Sequence, residues 1–397
     1  MSILWSHACN GKARNLISAN FFQMAQSGSY MIPYTREDLE ENTMDPRIEE
    51  HAKILVEWST EVKKGDMVGI RATPEAHHLV VALYRKIAEK GAIPITIMST
   101  EEMDKAFFDG ADADTINAAP THLEALLEKL DVIIALRSPS NTKALANVDS
   151  KRVIQRSVAM KRVQELQLSK RWCLTVHPTS ALAQQADMSM EEYEEFVYNA
   201  TLLDWKEESK LLYLMKEHLE RHKDIRFIGP ETDLHASTEG RIWIASDGKH
   251  NMPSGECFTA PVEDTVEGRI YFDIPFLQQG KVIEGVRLVF EKGEVVDYSA
   301  EKAEATLKEI IEIDAGSRRL GEMAIGTNRG IKQYTLNMLF DEKIGDTVHC
   351  ALGRAYKDNN GTNESAVHVD MIKTMRDGEI LAGEEVIYSK GKYFYET

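Results

Sequence analysis

The sequence predicts an α/β protein in two parts: an N-terminal doubly wound parallel-sheet domain and a C-terminal mixed α+β, strand-rich domain. Helical segments alternate with short apolar runs over residues 45–223, which is typical of a parallel sheet covered by helices. Within 224–397 the apolar runs are short and separated by turns, which indicates a strand-rich domain. Residues 1–44 fit neither pattern and are predicted to be disordered or an extension.

The N-terminal part is predicted to begin with a helix at 45–63, where apolar residues recur at helical spacing. Lys64-Gly65-Asp66 ends this helix and leads into a strand at 67–70. The same order of helix and strand then recurs three times. The helices are predicted at 75–90, 121–130 and 150–165, and the strands at 93–98, 131–136 and 171–176. The run at 93–98 has the composition of a buried strand.

A further helical region at 189–222 carries acidic and lysine side chains that indicate a solvent-exposed face. Beyond it, the strands are predicted at 226–228, 241–245, 269–274, 286–291 and 294–299, with a helix at 301–311. The sequence Glu-Lys-Gly-Glu at 291–294 predicts a hairpin turn between the last two of these strands.

The chain is acidic, with 47 Lys and Arg against 64 Asp and Glu and a formal net charge of −17. This balance argues against nucleic acid or an anionic membrane surface as the main partner. No stretch approaches the ~18 unbroken apolar residues of a membrane helix. The cysteines, Cys9, Cys173, Cys257 and Cys350, form no CxxC pair, so a reducing cytoplasm is the predicted location.

The N-terminal segment is basic, because Lys12, Arg14 and Arg36 precede the first acidic residue, Glu37. A secretory signal needs a continuous apolar core of ~7–15 residues, and polar residues interrupt the apolar runs here. Disorder, or an extension before a later start methionine, is therefore predicted in preference to export.

Two C-terminal stretches carry potential metal ligands: residues 345–353 contain His349, and residues 364–370 contain His368 and Asp370. His368 and Asp370 are two positions apart, so on a strand their side chains point to the same side and can share one ion. A His-x-Asp pair also arises by chance on surfaces and in cores. His349 lies among apolar residues, where a core histidine is the alternative.

Two carboxylates upstream complete the candidate set. Glu256 and Glu322 each follow a glycine, which lets the backbone approach a ligand closely, and each has apolar neighbours. A carboxylate buried there would be costly unless it were paired or bound to metal. Exposure at a loop tip is the alternative interpretation for either residue.

Charge counting favours two divalent ions, whose four positive charges would be balanced by three carboxylates and a bridging hydroxide, with neutral histidines. This donor set suits zinc, cobalt or manganese and does not select among them. The sequence lacks a GxxxxGK phosphate loop, an HExxH motif and a GxSxG elbow. His77 and His78 are interpreted as structural or surface residues. His235 and His250 are interpreted as possible neighbours of the metal ligands that do not bind the metal themselves.

Four motifs, taken together and in order, resemble the thermophilic metalloaminopeptidase family M29, which includes the aminopeptidases T and S and the AmpS/PepS type. They are 251–261 (NMPSGECFTAP), 320–328 (LGEMAIGTN), 341–353 (DEKIGDTVHCALG) with Tyr356, and 362–372 (TNESAVHVDMI). The resemblance extends over the chain from about residue 45. Val369 stands where the family has an aromatic residue, a change expected to affect packing or substrate fit more than ligation.

The resemblance implies that Glu256, Glu322, His349, His368 and Asp370 bind two divalent ions and that Tyr356 lies near them. It also implies a homodimer with the active site opening into an internal cavity.

The implied activity is release of N-terminal amino acids from peptides with a free N-terminus, through a bridging water activated by both ions. Glu322 is the proposed proton acceptor, although a bridging-ligand role fits equally well, and Tyr356 is a candidate donor to the oxyanion. The alternatives are another dinuclear amide hydrolase or a non-catalytic metal-binding protein.

Overall fold

A computed structural model describes residues 44–278 and 280–396 of the chain. The prediction of disorder or an extension for the N-terminal segment lies, apart from Met44, outside the described residues. The helices and strands below all belong to one compact unit, Pro46–Thr397. The predicted domain boundary after residue 223 stays a prediction.

The N-terminal half alternates helices with four strands. The helices are α1 (Pro46–Lys53), α2 (His77–Glu89), α3 (Glu101–Gly110), α4 (Ala113–Asn117), α5 (Thr121–Glu128), α6 (Ser150–Ala159), α7 (Lys161–Leu168), α8 (Ser180–Gln185), α9 (Met190–Thr201) and α10 (Trp205–Leu219). The strands are β1 (Met67–Ala72), β2 (Ile93–Met98), β3 (Val132–Arg137) and β4 (Arg171–Val176). A π-helical turn, Ile54–Ser59, extends α1.

These strands form a parallel sheet in the order β2-β1-β3-β4, and a fifth strand, β8 (Asn251–Met252), is added from the C-terminal half. The α/β fold class with a parallel N-terminal sheet is confirmed. The prediction that 93–98 is a buried strand is wrong in its burial, because β2 forms the edge of the sheet. Ile93 and Ile95 are 56% and 41% exposed.

Other boundaries also differ from the predicted ones. The helix predicted at 150–165 is broken at Met160 into α6 and α7, and the region 189–222 is divided into α9 and α10. Helices α3 and α8 and strand β6 (Thr232–Ser237) were not predicted. The strand predicted at 241–245 begins only at Ile244.

The C-terminal half is mostly antiparallel. Its further strands are β5 (Asp224–Gly229), β7 (Ile244–Ser246), β9 (Glu256–Thr259), β10 (Glu267–Phe272), β11 (Phe276–Gln278), β12 (Lys281–Ile283), β13 (Val286–Glu291), β14 (Glu294–Ser299), β15 (Leu320–Gly326), β16 (Thr347–Gly353), β17 (His368–Thr374), β18 (Glu379–Ala382), β19 (Glu385–Ser389) and β20 (Lys392–Tyr393). The helices are α11 (Glu304–Ile311) and α12 (Met338–Asp341). The hairpin predicted at 291–294 joins β13 and β14.

Two sheets organise this half: eight strands in the order β14-β13-β10-β6-β5-β18-β19-β20, and five in the order β17-β16-β15-β9-β7. Their facing sides share one core, to which Phe227 and Leu288 belong on the first sheet and Met323 and Cys350 on the second. Because side chains alternate along a strand, the neighbours of these core residues on β15 and β16 point to the opposite face.

Candidate metal centre

The five predicted ligands lie on neighbouring strands of the five-stranded sheet. Glu256 opens β9, Glu322 is the third residue of β15, His349 is the third residue of β16, and His368 and Asp370 are the first and third residues of β17. The prediction that His368 and Asp370 occupy a strand is confirmed. Each alternates with a core residue, so all five point away from the shared core.

The register brings these positions level with one another. Ala351 of β16 pairs with Glu322 on one side and with Asp370 on the other. His349 pairs with Ala324, two residues beyond Glu322 on the same face of β15. The small side chains of Ala324 and Ala351 therefore separate the acidic and imidazole groups and leave space above the sheet.

Glu322 lies at the centre of the arrangement. Its Oε1 is 3.2 Å from Nε2 of His349, and its Oε2 is 3.4 Å from Nε2 of His368. Glu256 Oε2 lies 3.4 Å from His349 Nε2, and Asp370 Oδ1 lies 3.5 Å from His368 Nε2. The structure thus brings together all five of the predicted residues.

The donor atoms fall into two sets, each within 4.8 Å: Glu256, Glu322 and His349 form one, and Glu322, His368 and Asp370 form the other. Glu322 belongs to both and directs one oxygen to each. The loop-tip alternative does not hold, because Glu256 and Glu322 are only 5% and 6% exposed.

The charged side chains of the centre pair with one another. Burial lowers the pKa of His349, but Glu322 and Glu256 outweigh burial and raise it to about 9. Burial likewise lowers the pKa of His368, but the carboxylates of Asp370 and Glu322 outweigh burial and raise this pKa to about 11. Burial raises the pKa of Glu322, while hydrogen bonds from both histidines bring it below its usual value. Protons on the imidazoles therefore compete with any cation for this centre.

Two residues of the centre were missed by the sequence reasoning. Lys343 is fully buried, with Nζ 3.4 Å from Glu256 Oε1, and it also pairs with Glu342. Burial raises the pKa of Glu342 to about 7, although the ammonium of Lys343 opposes the shift. Both residues stand within the motif 341–353, but Asp341 and Asp346 carry charge in the same stretch, so no local signal distinguishes Glu342 and Lys343.

A cleft of about 580 Å³ opens onto the centre and is lined by Glu256, Glu322, Glu342, His368 and Asp370. Four aromatic side chains, Trp172, Tyr213, His250 and Phe258, also line the cleft. The rings of Trp172 and His250 stack 4.8 Å apart, 9° from parallel. His250 is thus part of the cleft wall.

Tyr356 also lines the cleft, and its ring centroid lies 5.0 Å from that of His368. The tyrosine is 41% exposed, so its position is at the entrance of the cleft. The other histidines considered from the sequence lie elsewhere. His235 faces Asp224 at 3.7 Å, and His77 and His78 contact each other on α2.

A family model described as thermophilic metalloprotease (M29) matches residues 44–393. The chain belongs to this family. Aminopeptidase 2 of Geobacillus stearothermophilus is 26% identical over 413 aligned positions, which cover 89% of this chain and 99% of that protein. Aminopeptidase AmpS of Bacillus subtilis is 28% identical, covering 85% of this chain and 95% of the relative. The family predicted from the four motifs is confirmed.

Solved structures confirm the fold of this M29 chain. Wild-type AmpT from Thermus thermophilus has a TM-score of 0.78 at 24% identity, covering 88% of this chain and 99% of its own. A 2,5-dihydroxypyridine dioxygenase from Pseudomonas putida KT2440 has a TM-score of 0.54 at 13% identity, covering 88% and 96%. Likeness at these identities shows the fold alone, so the chemistry has to be argued from the side chains.

The centre fits the divalent metal that an M29 metalloprotease uses. Among the described residues, Glu256 Oε2 and Asp370 Oδ1 are buried without a hydrogen-bond partner, a costly state that a cation would relieve. Nδ1 of His368 lies 2.7 Å from the carbonyl oxygen of Arg354 and therefore donates to it. That bond leaves Nε2 of His368 to bind metal. A hydrogen bond from the other ring nitrogen to a carbonyl oxygen commonly orients a metal-binding histidine in this way.

Proposed function

We propose that this M29 enzyme releases N-terminal residues from peptides with two divalent ions held by the five predicted ligands. Metal-dependent aminopeptidase activity, predicted from the motifs, is confirmed by the family and its relatives. The number of ions and the residues that hold them are the proposal. The proposal rests on the position of Glu322, because its two carboxylate oxygens face different histidines.

In this proposal Glu256, Glu322 and His349 hold one ion, and Glu322, His368 and Asp370 hold the other. Bound ions would polarise the peptide carbonyl and lower the pKa of a water nucleophile. The mixture of imidazole and carboxylate ligands suits zinc, cobalt or manganese. Lys343 orients Glu256 by pairing with Oε1, which leaves Oε2 directed to His349.

A carboxylate must take up the proton of the attacking water and pass it to the leaving amine. Glu322 was the candidate from the sequence, and its two oxygens near His349 and His368 also suit a shared ligand. Glu342 is a second candidate because it lines the same cleft, and burial raises its pKa to about 7, near the operating range of a general base.

Tyr356 is proposed to donate a hydrogen bond to the oxyanion that develops on the scissile carbonyl. Its ring stands beside His368 at the entrance of the cleft, where a substrate carbonyl would approach. Trp172 and Tyr213, which also line the cleft, offer apolar surface to the substrate and would help to exclude water from the reacting groups.

The test is mass-spectrometric product analysis of the metal-stripped protein resupplied with zinc, cobalt or manganese. A short peptide is offered with a free N-terminus and, in parallel, N-acetylated. Stepwise loss of single residues from the free peptide alone, and only with metal, is the expected result. Cleavage of both peptides would point to another amide hydrolase, and cleavage of neither, with metal bound, to a non-catalytic metal-binding protein.

Two further properties belong to the proposal. The family resemblance supports a homodimer, which sedimentation velocity of the purified full-length chain would test. Cys173, Cys257 and Cys350 are unpaired and buried, which is compatible with the reducing cytoplasm expected from the sequence. None of the helices in the described segments has the length and apolar character needed to cross a membrane.

A further inference from the structure

A second group of potential metal ligands lies away from the cleft, where α10 ends against β19. His218 is in the last turn of α10, His222 follows four residues later, and Glu385 opens β19. The amide of His222 donates to the Leu219 carbonyl at 3.1 Å in the turn that ends α10, and the ring centroids of His218 and His222 lie 5.6 Å apart. The ligating atoms of the three side chains lie within 4.8 Å of one another.

Both imidazoles converge on the same carboxylate oxygen. Nε2 of His218 is 2.6 Å from Oε2 of Glu385, and Nε2 of His222 is 3.5 Å from it. In the described part of the chain, His222 Nε2 is buried and has no hydrogen-bond partner. A buried ring nitrogen left unpaired beside a carboxylate and a second imidazole is a position that a cation would satisfy.

The surroundings hold the two rings in place. The ring of Phe394 lies 4.4 Å from that of His218, centroid to centroid. Gly383 allows the β18–β19 turn to approach His222, since a Cβ at this position would come 2.9 Å from Nδ1. Each histidine side chain is 19% exposed, whereas Glu385 is 57% exposed and is free to adjust.

We propose that His218, His222 and Glu385 form an auxiliary zinc site that is separate from the catalytic centre. Two histidines and one carboxylate are a recurrent zinc donor set, with water in the fourth position. Tetrahedral ligands at ~2.0–2.1 Å from zinc lie roughly 3.3 Å apart. The His222–Glu385 separation already matches this, and the exposed Glu385 carboxylate has to retreat from His218 by well under 1 Å.

Zinc at this position would tie the end of α10 to the β18–β19 hairpin. Helix α10 packs against β7 and β9 of the five-stranded sheet, and the Cys257 thiol donates to the Leu212 carbonyl at 3.3 Å. The zinc site would therefore stabilise the packing of α10 against β7 and β9 and would take no part in the reaction.

Metal-stripped full-length protein is titrated with Zn²⁺, and bound zinc is counted by elemental mass spectrometry for the wild type and the His218→Gln/His222→Gln double variant. The wild type is expected to bind one more zinc per chain and to show the larger zinc-induced rise in Tm. The double variant is expected to retain aminopeptidase turnover. His235→Gln is the matched control, because His235 also faces a surface carboxylate, at 3.7 Å, but belongs to none of the groups of three potential ligands found among the described residues.

Glu385→Gln keeps the proposal testable if the double variant folds poorly, because this exposed side chain can be changed without disturbing the core. Its zinc affinity at this site should fall by more than the ~10–100-fold that loss of an outer-shell partner causes. Equal zinc counts in the wild type and the double variant would overturn the proposal. So would a loss of Tm in Glu385→Gln that is the same with and without zinc.

Discussion

The ammonium of Lys343 lies 3.4 Å from Oε1 of Glu256, and neither side chain has more than 6% exposure. The buried ammonium of Lys343 thus neutralises one carboxylate oxygen of Glu256, a proposed metal ligand. The other oxygen, Oε2, faces His349 at 3.4 Å. Burial opposes the charge on Lys343, but Glu256 and Glu342 hold its pKa above the usual value.

Lys343→Met should weaken both folding and metal binding, because it leaves two buried carboxylates without their counter-charge. Breaking a buried pair typically costs about 3–5 kcal/mol. Urea unfolding and metal content measured on the same preparation check this. Lys373→Met is the matched control, since Lys373 pairs with Asp273 at 2.5 Å on the opposite face of β17. Metal loss in the Lys373 variant alone would contradict the role given to Lys343.

Glu322→Gln and Glu342→Gln should separate ligation from proton transfer. Glu322→Gln removes the shared carboxylate, so metal content and turnover are expected to fall together. Glu342→Gln is expected to lower kcat while the metal content stays near that of the wild type, if Glu342 accepts the proton. Full turnover of the Glu342 variant would return the base role to Glu322, and full turnover of the Glu322 variant would remove that residue from the mechanism.

Tyr356→Phe should lower kcat by roughly 10²–10³ with little change in KM, because loss of an oxyanion donor affects the transition state more than substrate binding. Steady-state kinetics on a free-amine peptide checks this prediction. The ring contact with His368 is kept in the phenylalanine variant, so the fold and metal content serve as internal controls. An unchanged kcat would make the tyrosine a packing residue.

Acid should destabilise the protein through His51 and His177. Burial, with a smaller effect of His177, lowers the pKa of His51 to about 3, and burial lowers that of His177 to about 4. Their folded-state pKa values lie below the unfolded value of ~6.5, so this stability is complete above pH ~6.5. It is lost as the pH falls to about 4 for His177 and to about 3 for His51. Each group contributes a slope of up to ~1.4 kcal/mol per pH unit.

His51→Gln should reduce that slope, since a glutamine can still bond to Thr175, whose Oγ1 lies 2.8 Å from His51 Nε2. Urea unfolding at pH 7 and pH 4.5 provides the measurement, with the exposed His235→Gln as control. A pH dependence identical to that of the wild type would show that His51 is not the titrating group.

Much of the centre was predictable because its ligands come from local patterns. The i, i+2 spacing of His368 and Asp370 needs only a strand to bring both to one side, and β17 provides it. Lys343 and Glu342 could not be assigned in this way. Their role depends on contact with Glu256, a residue far away in the sequence, and local spacing carries no information about such a contact.

Dependence on contacts between distant residues also explains the errors in the predicted fold. The apolar run of β2 is typical of a buried strand, but burial depends on strand order, and this order places β2 at an edge. Nothing near residues 251–252 indicates that they join a parallel sheet built more than 70 residues earlier in the chain. The strand predicted at 241–245 is shorter because the backbone of Ile242 bonds outside the sheet: its amide donates to the Asn359 carbonyl, and its carbonyl accepts from Asn359 Nδ2 and Thr259 Oγ1.

Strand β8 has a consequence for how the enzyme can be divided or assembled. It completes the N-terminal sheet beside β4, and only Pro253, Ser254 and Gly255 separate it from Glu256. A fragment ending near residue 223 would leave the β4 edge bare, and the complementary fragment would carry β8 without its partner strand, close before Glu256 on β9. The two halves are therefore expected to unfold as a cooperative pair, and loosening of the N-terminal sheet would free the segment that leads into β9 and its proposed ligand.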